Sequence, residues 1–113
     1  MTVRTRAPVD SDKQLIQALG VLAGGAHQIA VGAGSLRNSS AFNADTRVIE
    51  IFSDVACYFQ TGNSSVTASA SDHYLPAERE RVYAIGGDKQ TQHTHIAVIQ
   101  AAGAGTLYVS EMD

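Results

Sequence analysis

Arg81-Val82-Tyr83-Ala84-Ile85, a Gly86-Gly87-Asp88-Lys89 turn, a short polar run, His95-Ile96-Ala97-Val98-Ile99, a small Ala-Gly turn and Thr106-Leu107-Tyr108-Val109-Ser110 close a chain of 113 residues. Three short runs rich in β-branched and aromatic residues, each bounded by glycine, are expected to form a β-meander. Ile96 to Ile99 is apolar at every position, the pattern of a strand covered on both faces, so this run is expected to be central. In the last run Leu107 and Val109 share one face and Thr106, Tyr108 and Ser110 the other, which predicts one buried and one wetter side.

Upstream, Thr46 to Phe52 alternates in the same way. Ile49 and Ile51 project to one side; Val48, Glu50 and Phe52 project to the other, a mixture of charge and large apolar groups that suits a surface covered by another chain. Ser53-Asp54 interrupts the run as a turn or a bulge, and Val55 to Gln60 continues as strand with Val55, Cys57 and Phe59 toward the core. His27 to Val31 is a further strand, ended by the Gly32-Ala33-Gly34-Ser35 turn. Asn38 to Asp45 is a polar loop anchored by Phe42. Thr61 to Asp72 is a longer loop with only Val66 to bury, and Tyr74-Leu75-Pro76 supplies an apolar anchor before the charged corner Glu78 to Arg81.

The N-terminal end reads differently. Met1 to Val9 is polar and carries Arg4 and Arg6, so it is an arm with too little apolar surface to order itself. Ser11 and Gln14 have capping-box spacing, and Leu15, Ile16, Leu19 and Leu22 recur at helical intervals before Gly24-Gly25. A short helix from about Asp12 to Ala23 is expected, with an extended segment as the alternative because Gly20 interrupts it. The chain therefore divides into residues 1–25, arm and short helix, and residues 26–113, an all-β domain. About seven short strands argue for a compact two-sheet β-sandwich, with the jelly roll as one form open to it; the sequence does not set the topology.

Composition narrows the function. Charged residues make up 17% of the chain and aromatics 6%, tryptophan is absent, and 8 basic against 11 acidic side chains give a charge of −3. Neither a basic face nor a stacking platform for nucleic acid is present. The N-terminus lacks the apolar core of a signal peptide, no run is long enough to span a bilayer, and the single Cys57 reads as a small core residue. No nucleic-acid or membrane partner is therefore expected.

Chemistry-bearing residues are scattered. His93 and His95 share a face of an extended segment and could ligate a metal with His27 or His73, but no cysteine or acid flanks them at a recognised spacing. Gly32-Ala33-Gly34 lacks the third glycine of a dinucleotide loop, where Arg37 stands. Asp72 and His73 lie beside serines, with no serine on a strained elbow. Asp10-Ser11-Asp12 lacks the remaining ligands of a calcium loop. The expectation is a protein with no catalytic, cofactor-binding or metal site, and not an enzyme.

The order Val55-Ala56-Cys57-Tyr58-Phe59, a Ser/Thr/Ala loop, Tyr74-Leu75-Pro76-Ala77, a strand with Tyr83, His95-Ile96-Ala97-Val98-Ile99-Gln100 and the ending Gly105 to Met112 resembles small β-sandwich proteins encoded among the virion genes of tailed bacteriophages. The resemblance covers about Thr46 to the C-terminus. It implies a structural virion component assembled in the host cytoplasm: a capsid decoration (cement) protein bound to the major capsid protein, or a neck or tail accessory protein. It also implies a homo-oligomer, a homotrimer by analogy with the local three-fold positions of capsid lattices. Candidate interface residues are Arg4 and Arg6 in the arm, Val48 and Phe52 on their strand face, and Val66 in the long loop. A carbohydrate- or receptor-binding sandwich is the alternative, and a small metal enzyme built on the histidine pair is a third reading.

Overall fold

The computed structural model describes residues 20–86 and 91–112. Within them the chain forms β1 (Val21–Val31), β2 (Leu36–Arg37), β3 (Val48–Ser53), β4 (Cys57–Gly62), β5 (His73–Leu75), β6 (Glu80–Ala84), β7 (His95–Gln100) and β8 (Gly105–Met112). Two four-stranded antiparallel sheets pack face to face, in the orders β1-β8-β3-β6 and β2-β7-β4-β5. First pairs with last, second with seventh, third with sixth and fourth with fifth. This nesting is a long antiparallel hairpin rolled into two sheets, the jelly roll.

The alternation along each strand decides which side chains fill the space between the sheets. Ile49 and Ile51 of β3, Leu107 and Val109 of β8, and Ile29 and Val31 of β1 face Cys57 and Phe59 of β4, Ile96 and Val98 of β7 and Leu75 of β5 in one core. Phe42 caps it from the loop before β3, as the sequence predicts, and Val55 packs against it from the β3–β4 turn. Leu75 is buried while Tyr74 beside it is 53% exposed, so the anchor before Pro76 is the leucine alone. Burial raises the Cys57 thiol above its usual value, a hydrogen bond with Ser53 partly opposing it, and the residue is a core side chain.

Two expectations are corrected. The last three runs form no meander, because β6, β7 and β8 do not pair with one another. Each connection crosses from one sheet to the other, so consecutive strands meet face to face, and their hydrogen bonds go to partners distant in sequence. The central position of β7 holds: it lies between β2 and β4, with Ile96, Ala97 and Val98 all buried. The second correction concerns Val21 to Ala23, expected in a helix and found in β1, where Val21 pairs with Met112. A long C-terminal strand needs an edge partner, and this tertiary demand overrides the helical spacing of Leu19 and Leu22. The remainder of that helix, the arm and Asp10-Ser11-Asp12 lie outside the described residues.

The β3–β4 crossing is tight. Ser53 Oγ donates to the Val55 carbonyl at 2.6 Å, and the Ser53 carbonyl accepts from the Glu78 N–H at 2.7 Å. Asp54 Oδ1 accepts from the Thr106 N–H at 2.8 Å. Gly105 fits beneath this turn only because it has no side chain: a Cβ there would overlap Asp54 Oδ1 and both methyls of Val55. Gly105→Ala is expected to cost about 1–3 kcal/mol of stability, read as a lower urea midpoint, while Gly103→Ala, where a Cβ meets nothing, leaves it unchanged.

Candidate functional site

Two regions of the described residues carry chemistry that packing alone does not require. The first is the outer face of the β1-β8-β3-β6 sheet. The register sets Tyr108, Phe52 and Glu80 in one row, Ser110, Glu50 and Val82 in the next, and Met112, Val48 and Ala84 in a third. Val82 is 52% exposed and Tyr108 43%, and the Tyr108 ring lies 6.4 Å from that of Phe52. Phe52 and Val48 are half-buried, whereas Ile49 and Ile51 are fully buried, so the strand register read from the sequence holds. The face combines large apolar side chains in every row with two carboxylates, Glu50 and Glu80.

Of the other candidate interface residues, Val66 belongs elsewhere. Its carbonyl accepts from Arg37 Nη1 at 3.0 Å, and its side chain lies against Gly62 at the end of β4, placing it with the second sheet. It does not join the Val48/Phe52 patch. Arg4 and Arg6 lie outside the described residues.

The second region is a buried polar cluster at the end of β8. Glu111 continues the inward-facing series of Leu107 and Val109, so a carboxylate occupies a core-facing position with its side chain only 4% exposed. It is fully partnered. His27 Nε2 donates to Oε2 at 2.8 Å, and the Asn43 N–H and Thr46 Oγ donate to Oε1 at 2.7 and 2.6 Å. Burial pushes the Glu111 carboxyl up, but the bonds from Thr46, His27 and Asn43 together outweigh it and hold the carboxyl below its ordinary value. The His27 ring meets Phe42 edge-on at 5.1 Å.

Room for Glu111 comes from a bulge in β1. The pairing jumps from Val21↔Met112 to Ala26↔Ser110, leaving Leu22 to Gly25 opposite Glu111 alone. Gly24 has φ 79°, and a Cβ on Gly25 would come within 2.8 Å of the Glu111 Cβ. These two glycines let the chain turn over the carboxylate. Beside the bulge, Gly24, Ala26, His27, Gln28, Asn38, Ser39 and Ser40 line a polar cleft of about 230 Å³. Asn38 is committed to structure: its amide donates to the Ser40 carbonyl at 2.7 Å and its oxygen accepts from the Ile96 N–H at 2.8 Å.

The remaining histidines are dispersed. His93 Nδ1 is 2.8 Å from Thr61 Oγ1, His95 Nδ1 is 2.7 Å from Thr94 Oγ1, and His73 packs on Phe59 at 5.6 Å. Burial lowers the His95 pKa, with Arg37 and His27 adding to the shift, which favours its neutral form. Among the described residues no three of His, Cys, Asp and Glu converge on a metal-sized site. The Asp72 carboxylate is engaged by the Ser69 N–H at 2.7 Å and the Gln60 amide at 3.1 Å, a loop clamp and not a relay to His73.

The Glu111 cluster escaped the sequence reading, although a signal was there. Glu111 shares the parity of Leu107 and Val109, and His27 that of Ile29 and Val31, so both fall on inward faces. Comparison with protein-family models, curated proteins and solved structures gives no match.

Proposed function

We propose that this chain is a non-enzymatic structural protein of a phage virion, most simply a capsid decoration (cement) protein that binds the major capsid protein as a homo-oligomer. The observation that supports this best is the outer face of the first sheet. Phe52, Tyr108, Val48, Met112 and Val82 form a partly exposed apolar surface on a rigid strand framework, interrupted by Glu50 and Glu80, a composition suited to a protein partner. Jelly rolls build virion proteins and lectins alike, so the fold admits this reading without selecting it. A neck or tail accessory protein would use the same surface.

The arm provides a test. A chain lacking Met1 to Val9 is expected to keep its fold, by far-UV circular dichroism and thermal midpoint, and to occupy undecorated capsids less fully than the whole chain. Equal occupancy at every concentration would remove the arm from the attachment.

A carbohydrate-binding module is the second reading, favoured by the polar cleft beside His27, where Gln28, Ser39 and Ser40 offer donors and acceptors. The cleft presents no aromatic platform for a sugar face. A glycan screen without hits removes this reading; a hit lost in Gln28→Ala would replace the capsid reading with it.

A further inference from the structure

Among the described residues β6 is the outer strand of its sheet and pairs only with β3, which leaves its other edge without a strand partner. The Ile85 N–H donates to the Arg47 carbonyl at 2.7 Å, and Val48 stands opposite Ala84. By antiparallel alternation, Arg81 and Tyr83 turn their backbone groups toward β3, while Glu80, Val82 and Ala84 turn theirs outward. All three of these residues are exposed, and the strand has no proline, lysine or bulge to blunt it.

We propose that a second copy of this chain adds antiparallel to β6 across a two-fold axis at Val82, with Arg81 of each copy seated against Tyr83 of the other.

Register and charge favour that axis over those centred on Arg81 or Glu80. Centred on Val82, Glu80 faces Ala84 of the other copy and the outward groups of both strands meet, giving up to about six backbone hydrogen bonds. Arg81 then faces Tyr83 and Arg79 faces Ile85, so no like charges oppose. Centring the pair on Arg81 sets guanidinium against guanidinium. Centring it on Glu80 opposes the two carboxylates and sets Arg79 against Arg81.

A pocket receives the arginine. Tyr83, Phe59, Gln60, Thr61, His73 and Ala84 line a depression of about 120 Å³ along this edge, with the Tyr83 and Phe59 rings 5.0 Å apart. Arg81 shares the inward parity of Tyr83 and Ile85, so in the two-fold pair it lies on the side of the sheet where Tyr83 opens into this pocket. Its guanidinium covers the Tyr83 ring. The Asp72 carboxylate, bonded to the Gln60 amide, supplies the complementary charge nearby. The edge thus binds the copy and leaves the Phe52 face for the shell.

Light scattering and sedimentation equilibrium of the full chain test the proposal. The expected species has twice the 11.9 kDa chain mass. Val82→Pro removes an outward N–H without touching the bonds to β3, and edge strands tolerate proline at such positions. It is expected to weaken the dimer at least about tenfold with unchanged far-UV circular dichroism. Arg81→Glu, an exposed change that spares the backbone, is expected to do the same and keeps the test decisive if the proline variant misfolds. A monomer at millimolar concentration, a trimer, or a dimer that Arg81→Glu leaves as tight as before would overturn the proposal. Capsid binding, measured separately, does not bear on it.

Discussion

Glu111→Ala is expected to remove about 3 kcal/mol of folding stability, a large share of the total for a domain of this size. The loss has two sources. Truncation empties a core-facing position, and it leaves three donors, His27 Nε2, the Asn43 N–H and the Thr46 hydroxyl, without their shared acceptor. Glu111→Gln separates them. Its carbonyl still serves Asn43 and Thr46, and its amide faces His27 if the imidazole changes tautomer, so the cost falls to about 1 kcal/mol. The two variants also differ from the native chain in acid. Because the folded carboxyl titrates below its ordinary value, Glu111 stabilises fully above the unfolded-state value of about 4.3 and loses that contribution as pH falls through its lower folded value. Urea denaturation should therefore show stability falling more steeply between pH 5 and 3 in the native chain than in Glu111→Gln. Parallel profiles would mean that the carboxylate contributes nothing as an anion.

Neighbours on β3 should respond in opposite ways. Ile51 is fully buried between Val109 of β8 and Arg81 of β6 in register, and Ile51→Ala is expected to cost about 3–4 kcal/mol. Phe52 points away from the core, so Phe52→Asp should leave the fold nearly as stable and reduce capsid occupancy instead. Denaturation curves for both, with occupancy for the second, check this. A Phe52→Asp chain that unfolds would place Phe52 in the core and shift the strand by one residue.

The strands were legible and their partners were not. Alternation in Val48 to Ser53 and Gly105 to Met112 reports which side chains face inward, because burial acts on each residue locally. Pairing is set by contacts far apart in sequence, such as β1 with β8, and a glycine-rich stretch after β6 reads the same in sequence whether the chain doubles back or crosses to the other sheet. The meander expected for the last three runs failed for this reason. The helical spacing of Leu19 and Leu22 likewise carried no information about Met112, the partner that draws Val21 into β1. Val66 lies apart from Phe52 because loop geometry, unlike strand parity, has no period to read.

Glu111 and His27 show the opposite case, a signal present but outweighed. Their parity places them inside, while their polarity argues for the surface. The conflict resolves through partners contributed by the loop at Asn43 and Thr46 and through glycines at 24 and 25 that make room.

The most direct test of the central claim is saturation binding of the full chain to undecorated capsids assembled from the major capsid protein of the same genome. The account predicts saturation at a fixed ratio to shell subunits and a capsid that resists heat better once decorated. Absence of binding by the folded native chain, even at a large molar excess over shell subunits, would contradict it.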